Sequence, residues 1–218
     1  MNVVIAIDGP AGAGKSTVGR ALADRLGVGY LDTGAMYRAM TFAALRRGVV
    51  EGDLAAVAAM APEVAISIEL GTVTVDGEDA TSAIRGREVT EAVSQVAANP
   101  EVRRVLVEQQ RAWVAAHGGG VVEGRDIGSV VFPDADLKVY VTASPRVRAE
   151  RRVQEIGGDV AEVEASIVLR DRFDSERDHS PLTETDDAVT VDTTGMTIGE
   201  VVDHIVGLLP RDAREASA

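Results

Sequence analysis

The sequence of 218 residues contains no cysteine and only two lysines, Lys15 and Lys138. Without cysteine there is no disulfide, no thiolate nucleophile and no zinc site with cysteine ligands. Acidic residues outnumber lysine and arginine by 35 to 22, which gives a formal net charge of -13. Nucleic acid and anionic membrane surfaces would be repelled by this charge, so we expect neither as a partner.

Long apolar segments are also lacking. The first residues, MNVVIAIDG, carry no basic residue and only a short apolar run, which argues against a signal peptide. No run of residues is long and apolar enough to predict a membrane span. The three histidines, His117, His179 and His204, stand far apart without the spacing of metal ligands. We therefore expect a cytoplasmic protein, and because no heptad or long apolar stripe requires a partner chain, a monomer.

The apolar residues that are present predict alternating strands and helices. Hydrophobic residues make up 45% of the chain, which is enough for a packed core. The continuous apolar run from Val3 to Ile7 is typical of a strand that is buried on both faces. Helical spacing follows from Gly14 to Gly27, after a glycine-rich turn. A strand, a glycine loop and a helix in this order indicate an α/β fold.

The rest of the chain continues this pattern with one interruption. Further strands are predicted at 30–31, 118–124, 137–143 and 188–191, and further helices at 33–47, 88–98, 100–116, 144–152, 159–176 and 197–209. In the middle, 64–69 and 71–79 alternate apolar and polar residues and contain glycine turns. This predicts a small antiparallel element, inserted at the edge of the parallel core.

The glycine loop carries the clearest chemical signal. Residues 9–16 read GPAGAGKS and match the pattern G-x-x-x-x-G-K-[ST] in full. Glycines let backbone N–H groups turn around phosphate oxygens, and the start of the next helix adds partial positive charge. Lys15 is expected to reach the β- and γ-phosphates, and the Ser16 hydroxyl to ligate Mg²⁺. We therefore expect ATP and Mg²⁺ to be bound by Gly9, Pro10, Ala11, Gly12, Ala13, Gly14, Lys15, Ser16 and Thr17.

A phosphate-binding loop does not identify the reaction. A GTPase switch usually carries an N-K-x-D motif that reads the base, and neither lysine of this chain lies in one. A DNA-dependent ATPase would be longer and would have a basic track. A small-molecule kinase fits the length, and it needs arginines near the loop to hold a second anionic substrate.

One arginine-rich stretch, ASIVLRDRFDSERDHSPL at 165–182, can be interpreted in two ways. On a helix, Arg170, Asp174 and Arg177 fall at i, i+4 and i+7, on one face with Phe173. They could form an exposed ladder of ion pairs, each worth a few tenths of a kcal/mol. They could instead hold a ligand that is more negative than the protein. Taken alone, the stretch favours the ladder.

Five blocks of sequence resemble the signature segments of bacterial cytidylate kinases, in order along nearly the whole chain. They are IDGPAGAGKST (7–17), LDTGAMYR (31–38), SQVAANPEVR (94–103), EGRDIGSVVFPDA (123–135) and LRDRFDSERDHSPL (169–182). The resemblance implies an ATP-dependent nucleoside monophosphate kinase with an adenylate-kinase-like core, helices on both faces of a parallel sheet and a mobile helical lid. It implies a P-loop core at 1–61 and 118–210 with a lid at about 147–165, a monophosphate-binding insert with helices at 62–117, and a flexible tail at 211–218.

The resemblance also implies roles for single residues. Around the cytosine it implies Thr33, Ser94, Arg103 and Asp126, where Thr33 stands in place of the serine of some relatives. At the pentose hydroxyls it implies Arg170 and Asp174, with Ser94 shared between base and sugar. At the CMP phosphate it implies Arg38, Arg125 and Arg177. Arg151, at the start of the lid, is implied to stack on adenine or to approach the ATP phosphates. The residues that we expect to be needed for the reaction are Lys15, Arg125, Asp126 and Arg177.

The side-chain chemistry favours cytosine over uracil. A carboxylate such as Asp126 accepts a hydrogen bond from the exocyclic amine of cytosine, and Arg103 can donate to the base. Uracil presents a carbonyl to that carboxylate, and such a mismatch costs about 1–3 kcal/mol. We therefore expect in-line phosphorylation of CMP and dCMP, in which the anionic acceptor phosphate needs no general base. The alternatives are a kinase for UMP or AMP, and a nucleotide switch without an acceptor. Glu123 is left open between orienting Mg²⁺-bound water and a structural role.

Overall fold

The computed structural model describes residues 3–49, 53–69, 71–177 and 180–210. The segment 211–218, which the sequence predicts to be a flexible tail, lies outside these residues, as does His179. The chain forms two compact units, Met1–Leu31 with Trp113–Ala218, and Asp32–Ala112. In the part of the chain that is described, no helix has the length and apolar character needed to cross a membrane.

Strands and helices alternate along most of the chain. The strands are β1 (Val4–Asp8), β2 (Tyr30–Asp32), β3 (Ile66–Glu69), β4 (Thr72–Val75), β5 (Glu78–Asp79), β6 (Gly120–Glu123), β7 (Leu137–Thr142) and β8 (Val189–Asp192). The helices are α1 (Lys15–Leu26), α2 (Thr33–Arg46), α3 (Leu54–Met60), α4 (Arg87–Ala98), α5 (Pro100–His117), α6 (Pro145–Ile156), α7 (Val160–Ser175) and α8 (Ile198–Leu208).

The first unit is built on a five-stranded sheet with the order β2-β6-β1-β7-β8. Strand β1 pairs in parallel with β6 on one side and β7 on the other, and β7 pairs in parallel with β8. Helices cover both faces of this sheet. The predicted α/β fold with a parallel sheet is confirmed.

The core of this unit surrounds the central strand. Ile5 and Ile7 are fully buried because β1 has a strand on each side and helices above and below. Leu22 of α1 and Ile205 of α8 belong to the same apolar cluster. Burial of one such side chain contributes about 1.5–3 kcal/mol, so packing across β1 fixes the strand end from which the phosphate-binding loop starts.

The loop leaves β1 under a tight steric constraint. Gly9 has φ of +146°, and a Cβ on it would lie only 2.0 Å from the carbonyl oxygen of Val141 in β7. Only glycine fits at this position. The first glycine of the motif therefore lets the chain turn across the neighbouring strand at the carboxyl ends of the sheet, where α/β proteins place their ligands.

The second unit contains the predicted antiparallel element. Strands β3 and β4 form a hairpin in which Ile66 faces Val75, and β5 extends it. Helix α2 begins at Thr33, with the Asp32 carboxylate accepting a hydrogen bond from Ala35 N at 2.9 Å. Helix α3 was not expected from the sequence. It has a similar start, in which Asp53 accepts from Ala56 N at 2.9 Å.

Candidate active site

The predicted phosphate-binding loop joins the central strand to helix α1. Gly14, with φ of +90°, stands directly before this helix, and no side chain among the described residues caps the helix start. The N–H groups of the first turn are therefore left for an anion, which the helix dipole also favours. Loop, strand and helix stand as the motif predicted.

Lys15 is the first residue of α1 and is buried. Its ammonium group donates a hydrogen bond to the carbonyl oxygen of Pro10 at 2.9 Å, within the loop itself. Burial, and next the charge of Arg125, lower the pKa of Lys15 to about 7. A bound polyphosphate would supply the negative charge that this ammonium group needs.

Ser16 and Glu123 provide a pair of oxygen donors next to Lys15. The Ser16 hydroxyl donates a hydrogen bond of 2.6 Å to Glu123 Oε1. Glu123 is buried at the carboxyl end of β6, the strand beside β1. Hydroxyl and carboxylate oxygens are the ligand types that Mg²⁺ prefers, so these residues fit the predicted ion.

Three arginines surround one carboxylate in the first unit. The side chain of Asp174 is only 5% exposed, and its Oδ2 lies 3.0 Å from Arg125 Nε. Arg177 Nη2 lies 3.4 Å from its Oδ1. Arg170 Nε lies 4.0 Å from Oδ2, which is too far for a hydrogen bond. We call Arg125, Arg170, Asp174 and Arg177 the arginine cluster.

The arginine cluster brings like charges close together. Three guanidinium groups lie within 4.0 Å of the Asp174 carboxylate, and Arg170 Nε is buried without a hydrogen-bond partner among the described residues. Burial and the neighbouring Arg125 lower the pKa of Arg170 to about 10. An arrangement of this kind suits an anionic ligand.

The exposed ladder favoured by this stretch is wrong, because Arg170 and Arg177 lie around the buried Asp174. An exposed ion pair of the stretch is Arg172 with Glu176, with 2.8 Å between Nε and Oε1. Two details of the prediction are wrong: α7 ends at Ser175, so Arg177 follows the helix, and Phe173 is 44% exposed while the adjacent Asp174 is buried. Neighbouring residues on a helix point about 100° apart, so Phe173 cannot share the buried direction of Asp174.

The predicted base-reading residue starts an unusual turn. Asp126 is buried directly before one π-helical turn, Ile127–Val131. The first two N–H groups of this turn donate to the carboxylate of Asp8, from Ile127 at 2.8 Å and from Gly128 at 2.7 Å. Single π-helical turns are frequent at functional sites.

Helices α6 and α7 hold the backbone of the phosphate-binding loop. Arg148 of α6 donates to the carbonyl oxygen of Ala11 at 2.9 Å. Asp171 of α7 accepts from Ala11 N at 3.2 Å and also pairs with Arg148. The backbone of Ala11 is therefore held by two side chains of opposite charge.

Arg151 lies against the same loop. Its Nη1 donates to the carbonyl oxygen of Ala13 at 3.3 Å and to the hydroxyl of Thr193 at 3.0 Å. Its Nη2 donates to the backbone oxygen of Thr193 at 2.8 Å. The guanidinium group of Arg151, which the resemblance assigns to ATP, is thus next to the loop expected to hold the phosphates.

The remaining predicted residues lie in the second unit. Arg38 on α2 donates to Thr90 Oγ1 at 3.0 Å and to the carbonyl oxygen of Ile84 at 3.3 Å. Thr33 is buried at the start of α2, and Ser94 is half-buried on α4. Arg103 on α5 donates to the carbonyl oxygen of Ala97 at 3.2 Å and lies 5.3 Å above the ring of Tyr37.

Four residues with direct contacts in the first unit were not assigned a role from the sequence. They are Asp8, Arg148, Asp171 and Thr193. Asp8 alone had a usable signal, since it is a carboxylate at the end of a buried strand next to a phosphate-binding loop. The other three act through contacts with backbone atoms of residues far away in sequence, which no local pattern reveals.

Fold and site together define a class of protein. The phosphate-binding loop joins the central strand of the parallel sheet to helix α1, and Lys15 is buried at its end. This arrangement is that of a P-loop phosphotransferase. The chain belongs to the cytidylate kinase family, whose model, described as "Cytidylate kinase", matches residues 5–211. Membership carries CMP kinase activity with ATP as the phosphate donor.

Relatives support this assignment over nearly the whole of this chain. The chain is 49% identical over 214 residues to a cytidylate kinase of Streptomyces griseus, covering 95% of this chain and 93% of that protein. It is also 49% identical to a cytidylate kinase of Nocardia farcinica, with 99% and 97% covered. A bifunctional pantoate ligase/cytidylate kinase of a Synechococcus strain is 48% identical over 94% of this chain and 44% of its own length.

Solved structures agree on the fold. A sugar kinase from Janibacter has a TM-score of 0.53 at 12% identity, with 100% of this chain and 99% of that chain covered. A gluconokinase from Sinorhizobium meliloti has a TM-score of 0.50 at 14% identity, with 99% and 91% covered. At this identity the likeness concerns the fold alone.

Proposed function

We propose that this chain phosphorylates both CMP and dCMP by direct in-line transfer from ATP, with Mg²⁺ at Ser16, through the residues assigned above. The observation that carries the proposal is the arginine cluster, in which three guanidinium groups lie within 4.0 Å of the buried carboxylate of Asp174. A nucleoside monophosphate would bring anionic oxygens to these groups, among them the unpartnered and buried Arg170 Nε. Family membership supports the reaction, and the cluster supports this place for the acceptor.

On the donor side, the loop residues 9–17 bind the phosphates through their N–H groups, and Lys15 exchanges its bond to Pro10 for phosphate oxygens. Mg²⁺, when bound, neutralises charge on the β- and γ-phosphates. Ser16 Oγ would be its protein ligand, and Glu123, which accepts from that hydroxyl at 2.6 Å, would orient the hydroxyl. Arg151 approaches the adenine or the phosphates from α6. The segment 147–165 acts as a lid that excludes water, which would otherwise compete as acceptor.

On the acceptor side, Arg125 and Arg177 of the cluster bind the CMP phosphate, and Arg38 contributes a third guanidinium group. Arg170 and Asp174 contact the pentose hydroxyls. The attacking phosphate oxygen is already anionic, so these residues act by positioning and by offsetting the repulsion between two phosphate groups. The loss of one such contact should lower kcat/KM by about tenfold or more, since hydrogen bonds to charged groups contribute about 1.5–3 kcal/mol.

The base is read by Asp126 and Arg103, with Thr33 and Ser94 completing its surroundings. Asp126 accepts from the exocyclic amine of cytosine, and Arg103 donates to its oxygen or ring nitrogen. Arg103 is held in a fixed direction by Tyr37 and the carbonyl oxygen of Ala97, which limits its freedom to accept another base. UMP is therefore disfavoured by about 1–3 kcal/mol.

Replacement of Asp126 tests the base reading. We expect Asp126→Asn to lower kcat/KM for CMP and to raise the UMP to CMP ratio by about tenfold, because an amide can donate to the uracil carbonyl. The measurement is coupled ADP release from ATP and Mg²⁺ with CMP, dCMP, UMP or AMP as acceptor. Asp134→Asn, an exposed aspartate a few residues away, is the matched control and should behave as the parent protein.

The same assay separates the alternatives. Preferred turnover of UMP or AMP would assign the chain to another acceptor on the same core. Slow ATP hydrolysis that no monophosphate accelerates would indicate a nucleotide switch. A ratio unchanged by Asp126→Asn would contradict the base reading while leaving the kinase assignment in place.

We also propose that the chain acts in the cytoplasm as a monomer with small-molecule partners. The net charge of -13 supports the exclusion of nucleic acid, because both partners would be polyanions. Light scattering after size exclusion tests the monomer, and a mass of two chains would contradict it.

A further inference from the structure

Asp8 lies between the phosphate-binding loop and the segment that contains Arg125 and Asp126. It is the last residue of β1, directly before the first glycine of the phosphate-binding loop, and it is 7% exposed. Both of its carboxylate oxygens accept backbone hydrogen bonds, Oδ1 from Ile127 at 2.8 Å and Oδ2 from Gly128 at 2.7 Å. The Asp8 side chain is thus hydrogen-bonded to the backbone that directly follows Asp126.

The hydrogen bonds of Asp8 follow directly after the last backbone pairing between β1 and β6. Ile7 faces Glu123 in the parallel pairing of β1 with β6, and Gly124 N still donates to the carbonyl oxygen of Ile7 at 2.9 Å. Beyond Gly124 the chain leaves β6 and turns into Arg125 and Asp126. The next bonds from β1 to this segment are the two that Asp8 accepts, so a side chain replaces the backbone ladder at this point.

We propose that Asp8 is a positioning residue for acceptor recognition, which holds Arg125 and Asp126 at a fixed offset from the phosphate-binding loop. It thereby sets the preference for cytosine and the alignment of the acceptor phosphate with the donor. The inference rests on the proposed function, in which Asp126 reads the base and Arg125 binds the phosphate. Asp8 itself touches neither substrate.

A carboxylate is suited to this position in a way that an amide is not. Two N–H groups converge on Asp8, and a carboxylate offers an acceptor oxygen to each. Asparagine has the same shape but only one oxygen, so its amide would point N–H groups at one of these donors. Burial, and more weakly the charge of Asp126, raise the pKa of Asp8 to about 6, whereas its two backbone hydrogen bonds and the charge of Lys15 oppose the rise. The position therefore retains a carboxylate against the cost of burying its charge.

Asp8→Ala gives a second way to remove the same contact. It deletes both acceptor oxygens that bind Ile127 N and Gly128 N, and it introduces no donor in their place. A common effect of Asp8→Asn and Asp8→Ala would locate the cause in these two hydrogen bonds.

The test is the ratio of kcat/KM for CMP to that for UMP, together with the KM for ATP. The ratio compares two substrates on one sample, so a smaller folded fraction cannot change it. We expect Asp8→Asn and Asp8→Ala to lower the ratio by about fivefold, as for the loss of roughly 1 kcal/mol of discrimination. We expect the KM for ATP to change by less than about twofold. Asp136→Asn is the matched control, because its Oδ2 accepts from Val4 N at 2.8 Å at the opposite end of β1.

A parental ratio in folded Asp8→Asn would overturn the proposal and leave Asp8 a purely structural residue. If that variant does not fold, Asp8→Ala decides, and a parental ratio there overturns the proposal as well. A ratio lowered equally by Asp136→Asn would also overturn it. Asp126→Asn in the same assay tests the underlying function separately, because an unchanged ratio there rejects the base reading whatever Asp8 does.

Discussion

At the scale of single residues, Asp174 has the most consequential position in the site. Its carboxylate lies 3.0 Å from Arg125, 4.0 Å from Arg170 and 3.4 Å from Arg177. It therefore reduces the repulsion among these three guanidinium groups. In the proposed function, a monophosphate would reduce this repulsion further.

Replacement of Asp174 should therefore have two opposite effects. Asp174→Asn is expected to lower the free energy of unfolding by about 3 kcal/mol, because it leaves buried charges without their partner. It should also increase the gain in Tm on addition of inorganic phosphate, which would then replace the missing charge. Differential scanning fluorimetry with and without phosphate measures both effects.

The exposed ion pair of Arg172 with Glu176 supplies the control for this prediction. Glu176→Gln removes the partner of Arg172 on the outer side of the same helix, where an exposed pair contributes at most about 0.5 kcal/mol. It should change neither stability nor the response to phosphate. An equal response to phosphate in Asp174→Asn and the parent protein would show that the anion binds elsewhere.

At the scale of elements, helices α6 and α7 act on the phosphate-binding loop through Ala11. Arg148 binds its carbonyl oxygen and Asp171 its N–H group, and the two side chains also pair with each other. The loop thus has an external support besides its own strand and helix. This support holds the loop proposed to bind ATP, whereas Asp8 is proposed to position the residues that bind the acceptor.

Asp171→Asn should separate these two sides. The amide keeps one acceptor oxygen for Ala11 N but loses the charge that pairs with Arg148, so the loop is held less firmly. We expect the KM for ATP to rise by about three- to tenfold, as for the loss of roughly 1 kcal/mol. The ratio of CMP to UMP turnover should stay at the parental value. A changed ratio with an unchanged KM for ATP would contradict this division of roles.

The elements also show what sequence patterns could predict. The buried strand, the loop and helix α1 were predicted because apolar periodicity and glycine placement are local signals. Helix α3 was missed because LAAVAAM is a short segment of seven residues in which alanine supplies no distinct apolar stripe. The π-helical turn was missed because its bonds form at a spacing that side-chain periodicity does not reveal.

The candidate site was predictable only in part for a related reason. Two arginines of the cluster lie in one stretch with Asp174, but Arg125 reaches Asp174 from 49 positions away. Asp8 and Ile127 are separated by 119 positions. The sequence could indicate which residues carry the chemistry through motif and resemblance, whereas the supporting contacts depend on how the parallel sheet brings strand ends together.

At the scale of the whole molecule, the buried charge of Asp8 affects the free energy of unfolding. Its pKa rises from the ordinary value of 3.8 to about 6 in the folded protein, mainly through burial. The folded state therefore binds this proton more tightly than the unfolded state does. The stabilisation that the proton provides is present at low pH and is lost as the pH rises through about 6.

Comparison of the parent protein with Asp8→Asn measures this effect together with the change in the pKa of Lys15, which the charge of Asp8 raises. Between about pH 5 and about pH 7.5, the parent should lose about 1 kcal/mol of stability relative to the variant. Urea unfolding at a series of pH values, followed by circular dichroism, measures the difference. Stability curves that run parallel across this range would show that Asp8 is ionised at little cost, and that burial is not what sets its charge state. The expected result is that the parent loses stability relative to the variant as the pH rises, since only the parent must give up the proton at position 8.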